Sequence, residues 1–258
     1  MLSGTPRAHA IDRWIYVFMA VWFIVITLVG FVPDAMMKVA MVKAGARPPF
    51  PPILHVHAVL MGSFLLLLLL QTWLMATGRK ALHMQIGLLG MVLAAALVVV
   101  GFILAPTMYY QVWGGATFGP PPVRAALAPV LPQIENILLL QIAAGFMFAL
   151  FITIALRARE RNVGLHKRMI FLAVAVPLGA AIARMTWLPS TLPASPLSND
   201  FFILVAIAPM FAWDVIRNRR VHEAYKMWLP VFVIVVSAVN LLWDKPWWHA
   251  TAKAIMRV

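Results

Sequence analysis

The sequence contains no cysteine and few charged residues. The absence of cysteine excludes disulfides, thiolate metal sites, iron–sulfur clusters and covalently attached c-type haem. Histidine, methionine and the carboxylates remain as ligands for a metal or a haem iron. Only 11% of the 258 residues are charged and 63% are hydrophobic, whereas about a quarter of a soluble domain is charged. This composition predicts a polytopic membrane protein whose main partner is the lipid bilayer.

Acidic residues are also scarce, with 8 Asp and Glu against 21 Lys and Arg and a net charge of +13. A strongly basic chain can indicate a nucleic-acid partner. The basic residues, however, lie in short connections between apolar runs, as the positive-inside rule predicts for membrane proteins. We therefore expect no nucleic-acid partner.

The apolar runs predict an all-α bundle of seven transmembrane helices, because crossing a bilayer takes about 20 apolar residues of helix. Prolines suggest breaks at Pro33 and Pro106. Residues 106–133 are predicted to form the longest connection, either a lid, a segment that dips into the membrane or a passive cap. The predicted spans are 14–32, 53–76, 83–105, 134–157, 166–188, 200–217 and 224–243.

The distribution of Lys and Arg predicts the orientation of the bundle. In the connections and at the span ends, 13 of these residues lie on the side of the N-terminus and the even-numbered connections, and seven lie on the other side. The N-terminus is therefore expected to be cytoplasmic and the C-terminus periplasmic, in a bacterial inner membrane. The tail 246–258 is expected to be a helix lying on the outer membrane surface, with a frayed terminus as the alternative.

Several functions are excluded by what the spans lack. A seven-span retinal protein needs a lysine inside its last span, and none lies between Met227 and Trp243. The chain also has no H-E-x-x-H, G-x-S-x-G or phosphate-binding loop. Any chemistry must therefore come from the few polar residues at the helix ends.

One set of polar residues is expected at the outer side. Arg184 lies inside the fifth span, where an arginine is costly and needs a partner. Glu135, near the outer end of the fourth span, is the predicted partner, unless Arg184 instead reaches the outer headgroups. His55 and His57 open the second span and are candidate metal ligands. On a regular helix they point about 200° apart, so they could share one ion only if this start were extended. His57, Glu135 and Arg184, with Tyr109, Tyr110 and Asn240, would form an outer polar pocket.

A second set is expected at the cytoplasmic side. His83 opens the third span, His166 opens the fifth and His222 precedes the seventh, with Asp214 in the last turn of the sixth. Neutral imidazoles at matched depth can ligate a haem iron or a metal. The neighbouring basic residues suit haem propionates or anionic headgroups. The alternative is that these residues only mark the membrane interface.

Three motifs carry a resemblance to a known family: Leu82-His83-Met84-Gln85-Ile86-Gly87, Leu165-His166-Lys167-Arg168-Met169 with Arg184, and Arg219-Arg220-Val221-His222. They resemble uncharacterised seven-span bacterial membrane proteins of the type His-x-His, LHRRLG and HKRLM…R. Met84-Gln85 departs from the basic pair of that pattern. The His-x-x-x-Gly start of the third span is more distantly similar to cytochrome b561-type haem proteins. The site residues that the resemblance implies are His55, His57, His83, His166, Arg184, Asp214 and His222.

Two hypotheses for the function follow. In the first, the histidines hold haem b or a metal ion and the protein transfers electrons or protons, with a quinone at the outer pocket. His83, His166 and His222 are then cofactor ligands, His55 and His57 metal ligands, and Glu135 with Arg184 a proton or substrate relay. In the second, the chain is a non-catalytic accessory or assembly subunit of a larger membrane complex, and its polar residues are structural.

Overall fold

A computed structural model describes the backbone of residues 6–258 and the side chains of residues 9–258. Within these residues the chain is helical and has no strand, and seven of its helical segments are long and apolar enough to cross a membrane. Two short 3₁₀ turns, Ala128–Val130 and Val176–Leu178, each join two helices into one continuous segment. The helices are α1 Pro6–Lys43, α2 Pro52–Ala76, α3 Lys80–Phe118, α4 Pro121–Leu127, α5 Leu131–Ala158, α6 Val163–Ala175, α7 Gly179–Ile182, α8 Leu197–Asn218, α9 Glu223–Leu242 and α10 Pro246–Met256.

The spans alternate in direction, so their connections fall at two ends of the bundle. We call one the basic end, because its connections 77–79, 159–162 and 219–222 carry Arg79, Arg159, Arg161, Arg219 and Arg220. The other is the C-terminal end, which holds the connections 44–51 and 183–196 and the helix α10. Which end faces the cytoplasm stays a prediction from the charge distribution.

Two of the predicted proline breaks are wrong. Helix α1 continues through Pro33 to Lys43, and α3 continues through Pro106 to Phe118. A proline removes only one helical hydrogen bond. Inside a membrane the other backbone N–H and C=O groups have no water as an alternative partner, so the helix continues past the proline. With 38 and 39 residues, α1 and α3 are about 57–59 Å long, well beyond the hydrocarbon thickness of about 30 Å.

The predicted connection 106–133 is therefore not a loop. Its first half is the end of α3, and its second half is α4 followed by a 3₁₀ turn into α5. Pro121 and Pro122 start α4, at positions where the missing N–H of proline costs no helical hydrogen bond. This helical extension raises a cap above the C-terminal end of the bundle.

The segment α6–α7 is the central span. Of its most apolar stretch 67% is buried, against 22–39% in the other six spans. Small side chains let its neighbours approach closely. At Gly30 of α1, for example, an added Cβ would collide with the backbone of Ala181. The remaining spans surround this centre and expose apolar faces to the bilayer.

The buried apolar residues form two separate clusters. The larger one runs along the bundle around α6. The smaller one, which we call the cap core, joins α3, α5, α9 and α10 at the C-terminal end. Its members are Ala105, Tyr109, Leu138, Leu139, Val239, Trp243, Trp248, Ala252 and Met256. The cap core packs against Glu135, whose contacts are described below.

Candidate functional site

The predicted ion pair between Glu135 and Arg184 is wrong. Arg184 Nε lies 3.1 Å from Asp34 Oδ2 on α1, and the same carboxylate accepts a hydrogen bond of 2.7 Å from Lys38. The Arg184 guanidinium also stacks over the Phe31 ring at 4.5 Å. The close approach of α1 to α7 at Gly30 explains this choice, because it brings the next turn of α1 beside Arg184.

Glu135 is instead covered by α10. Its Oε2 lies 2.6 Å from His249 Nδ1, and its backbone carbonyl accepts a hydrogen bond of 2.9 Å from Trp248 Nε1. Lys253 Nζ lies 3.9 Å from Oε1, at the limit of an ion pair. The helix that the sequence placed on the membrane surface thus packs against the start of α5.

His249 stands between two carboxylates. Besides Glu135 on Nδ1, its Nε2 lies 3.2 Å from Asp244 Oδ1. Asp244 has a left-handed backbone with φ of 56°, a conformation that Asp tolerates better than most residues. The Asn136 side chain accepts a hydrogen bond of 3.0 Å from the Asp244 amide. Asn136 therefore fixes the turn that positions Asp244.

Two buried oxygens beside His249 have no hydrogen-bond partner: Glu135 Oε1 and Tyr109 Oη. The exposed fractions of the two residues are only 2% and 1%. Tyr109 is close to the Glu135 carboxylate and interacts with it, but the contact does not have the geometry of a hydrogen bond. Buried polar atoms without a partner are rare, and they mark places where a proton, a water or an ion can be taken up.

The other residues expected in an outer pocket have separate partners. Asn240 Nδ2 donates to Asp200 Oδ2 at 3.1 Å. Tyr110 Oη donates to the backbone carbonyl of Met256 at 2.6 Å and so ties α3 to α10. The structure therefore brings Tyr109, but neither Arg184 nor Asn240, to Glu135.

The histidines of the second span lie on a regular helix that begins at Pro52. They consequently point in different directions, and the extended start that a shared ion would need is absent from this helix. His55 packs edge-on against Phe50 at 6.1 Å, whereas His57 Nδ1 is buried without a partner.

At the basic end, His83 and His166 occupy matching positions. Each lies in the first turn of a helix and contacts the preceding helix through Nδ1. His166 Nδ1 lies 2.8 Å from the Ala155 carbonyl oxygen, and His83 Nδ1 lies 3.3 Å from that of Gln71. Neither Nε2 has a hydrogen bond to any residue that the structure describes. Because α3 packs on α5, the two imidazoles are near enough to interact electrostatically.

The two imidazoles differ in how firmly their hydrogens are fixed. A carbonyl only accepts, so His166 Nδ1 carries a hydrogen and its Nε2 has the free lone pair. His83 also contacts the Gln71 side chain. The best orientation of the Gln71 amide has its nitrogen donating to His83 Nδ1 and His83 O and its oxygen accepting from Gly87 N. That orientation favours the opposite tautomer. His166 is thus the better prepared ligand.

His222 has a different role, because it caps a helix. Its Nδ1 accepts a hydrogen bond of 3.1 Å from the Ala224 amide at the start of α9. Burial lowers the pKa of His222, and the nearby Arg168 lowers it further. Both effects keep the imidazole neutral, as the cap requires.

Asp214 belongs to a buried cluster that sequence reasoning missed. Arg168 Nε donates to Asp214 Oδ2 at 2.6 Å, and Arg168 Nη2 bonds the other oxygen. Tyr225 Oη donates to Asp214 Oδ2 at 2.7 Å. This basic-end cluster of Arg168, Asp214 and Tyr225 joins α6, α8 and α9. Its signal was present, since Arg168 shares a helix face with the apolar Leu172 and Ala175.

Nearby contacts extend the same cross-linking. Asp12 of α1 accepts hydrogen bonds from Trp213 Nε1 at 2.9 Å and Arg217 Nε at 2.7 Å. Lys167 Nζ lies 4.7 Å from the centre of the Tyr16 ring. All of these side chains point into helix contacts, so they hold the basic end together.

Among residues 9–258, no group of three or more His, Asp or Glu side chains is arranged to hold a metal ion. Comparisons of the chain with protein-family models, with curated proteins and with solved structures gave no match.

Proposed function

We propose that this multi-pass membrane protein binds haem b between His83 and His166 and transfers electrons at the basic end of the bundle. The observation that carries the proposal is the hydrogen bond from His166 Nδ1 to the Ala155 carbonyl oxygen at 2.8 Å. A ligating histidine usually donates its other ring N–H to a carbonyl or carboxylate, which fixes the tautomer and the ring plane. His166 has that arrangement and leaves Nε2 free.

Haem b fits the available donors better than a bare metal ion. A structural or catalytic metal takes three or four protein ligands, and the described residues contain no such group. A haem iron takes only one or two axial ligands from the protein, because the porphyrin supplies the others. When bound, haem would supply one-electron redox chemistry. Arg79, stacked on Trp73 at 4.9 Å, and Arg159, which pairs with the exposed Glu160 at 3.0 Å, would hold its propionates.

The basic end also supports a location in a bacterial inner membrane with this end in the cytoplasm. Its connections carry most of the arginines outside the spans, as the positive-inside rule requires. The site would then face the cytoplasmic half of the membrane.

A visible absorption spectrum of the purified full-length protein, with haem and metal analysis, tests the proposal. We expect a Soret band that His166→Ala abolishes or shifts and that His83→Ala weakens. His55→Ala is the matched control, because it removes a histidine at the other end of the bundle and should leave the spectrum unchanged. Colourless protein after expression with added haem precursor would overturn the proposal.

One observation favours the alternative of a non-catalytic accessory subunit. The charged residues inside the spans are tied to each other across helices, as in Arg168–Asp214 and Arg184–Asp34. Such pairs need no substrate to explain them. Protein without haem or metal that copurifies in fixed stoichiometry with other membrane subunits would support this second function.

A further inference from the structure

The C-terminal end carries a second site, one that does not depend on haem at His83 and His166. We propose that Asp244, His249 and Glu135 form a proton relay that loads Glu135 reversibly from the aqueous phase above the cap. In this proposal His249 is the proton-transfer partner of Glu135. Arg184, which the sequence suggested for that role, pairs with Asp34.

The contacts of Asp244, His249 and Glu135 lead from solvent into the protein. The exposed fraction of the side chains falls from 71% at Asp244 to 19% at His249 and 2% at Glu135. The two N···O distances, 3.2 Å and 2.6 Å, are both short enough for proton transfer. The three groups therefore connect solvent with the buried carboxylate in two steps.

Both ring nitrogens of His249 need a hydrogen if they are to bond the two carboxylates. A neutral imidazole has one N–H, yet both nitrogens of His249 face carboxylate oxygens, which only accept when ionised. Both contacts are hydrogen bonds only when two hydrogens are shared among the three groups. The ring is then either an imidazolium or a neutral imidazole beside one protonated carboxyl. An imidazole between two such acceptors is the usual form of a proton shuttle.

In the loading step the Asp244 carboxyl gives its proton to His249 Nε2, and the hydrogen on Nδ1 moves to Glu135 Oε2. One O–H and one N–H bond break while one N–H and one O–H bond form. Release follows the same two contacts in reverse, which restores the starting tautomer. No redox partner or co-reactant is needed.

The buried end of the relay, at Glu135, has polar atoms that are not yet paired. Glu135 Oε1 and Tyr109 Oη lack partners, so the pocket is incomplete as it stands and a protonated carboxyl has an unused acceptor beside it. The other groups that face the relay are Tyr110 on α3, which is committed to Met256 O, and Lys253 on α10 at 3.9 Å. Lys253 is too far for a hydrogen bond and is half exposed, so it adjusts the charge without blocking the path.

The test follows the protonated-carboxyl band of the full-length protein in nanodiscs by infrared spectroscopy after a pH step. We expect a band that appears as the pH falls and that disappears in Glu135→Gln. His249→Gln should slow its appearance by about a hundredfold, the usual contribution of a positioned acid–base group. Lys253→Gln is the control on the same helix and should change the rate less than about twofold, because the Lys253 ammonium is half exposed and, at 3.9 Å, too far from Glu135 Oε1 for a hydrogen bond.

Hydrogen exchange at residues 246–256 shows whether α10 stays docked in each variant. If His249→Gln releases the helix, Asp244→Asn decides instead, because it keeps the His249–Glu135 contact and Asn also tolerates the left-handed backbone. A band that survives Glu135→Gln, or an unchanged rate in the docked His249 variant or in Asp244→Asn, would overturn the proposal.

Discussion

The most deeply buried carboxylate at each end of the bundle is held in a different way, Asp214 at the basic end and Glu135 at the C-terminal end. Asp214 at the basic end accepts two hydrogen bonds from the Arg168 guanidinium and one from Tyr225. Glu135 at the C-terminal end has one close contact, from His249, and its second oxygen has no hydrogen bond. The same chemical group is thus fully paired at one end and half paired at the other.

This difference separates a structural role from a chemical one. A fully satisfied buried network holds a single arrangement, because any change leaves a charge without a partner. A carboxylate with a free oxygen can gain or lose a proton without such a loss. We therefore regard the basic-end cluster as a lock between α6, α8 and α9, and Glu135 with its neighbours as a site.

The largest effect should come from breaking the lock. Asp214→Ala leaves the Arg168 guanidinium buried without a counter-charge, so we expect it to lower the free energy of unfolding by about 3–5 kcal/mol. Asp12→Ala removes an aspartate that is 35% exposed in its pair with Arg217, and we expect about 1 kcal/mol or less. Unfolding in detergent, followed by tryptophan fluorescence, measures both. Equal losses would mean that Asp214 is no more structural than Asp12.

Two tryptophans compare the main core with the cap core. Trp228 donates to the Leu172 carbonyl at 3.0 Å, and Trp248 donates to that of Glu135 at 2.9 Å. Both are at least 96% buried, and a Trp→Ala change at such a site removes about 3–5 kcal/mol.

We expect the two losses to spread differently. Trp228→Ala should weaken the whole bundle, because α9 packs there on the central α6. Trp248→Ala should release mainly α10, since only the cap core depends on it. Hydrogen exchange resolved along the chain distinguishes these outcomes. General loss of protection in Trp248→Ala would show that the cap and bundle unfold as one unit.

Neutral amide substitutions isolate the two carboxylates. Asp214→Asn keeps one acceptor oxygen but removes the charge that Arg168 and Tyr225 share, so we expect a loss of about 1.5–3 kcal/mol, smaller than that of Asp214→Ala. Glu135→Gln keeps an oxygen and adds an N–H that can reach the free Tyr109 oxygen, so we expect a change within about 1 kcal/mol of zero. Thermal unfolding of the two variants is the measurement. A large loss in Glu135→Gln would make Glu135 a lock as well.

The all-helical class and the number of segments able to span a membrane could be predicted from the sequence, because lipid imposes length and hydropathy on every span. The breaks at Pro33 and Pro106 could not, because one missing hydrogen bond does not decide whether a helix continues. The partner of Arg184 was also wrong. Choosing between Glu135 and Asp34 requires the packing of α1 on α7, which depends on a close contact at Gly30 and not on the order of the spans.

The candidate site was only partly predictable for the same reason. Helix ends could be recognised, so His83 and His166 were found at the same level. His249 was not, because its partners come from α5 and from the turn before α10. Arg168 was expected, like the adjacent Lys167, to face haem propionates or anionic headgroups or simply to mark the membrane interface. Its burial depends on Asp214, which lies on the next span, α8.

The smallest effect should be a pH dependence at the basic end. His222 must be neutral to accept the Ala224 amide, and burial holds its pKa below the usual value of 6.5. The stability from this cap is therefore complete above about pH 6.5, the pKa in the unfolded chain, and is lost as the pH falls toward the lower folded pKa. His222→Asn keeps an N-cap acceptor that does not titrate there. Between about pH 7 and pH 5, the wild type should lose up to about 1 kcal/mol more than this variant. Equal losses in thermal unfolding would show that another group titrates and that the His222 cap does not depend on its charge.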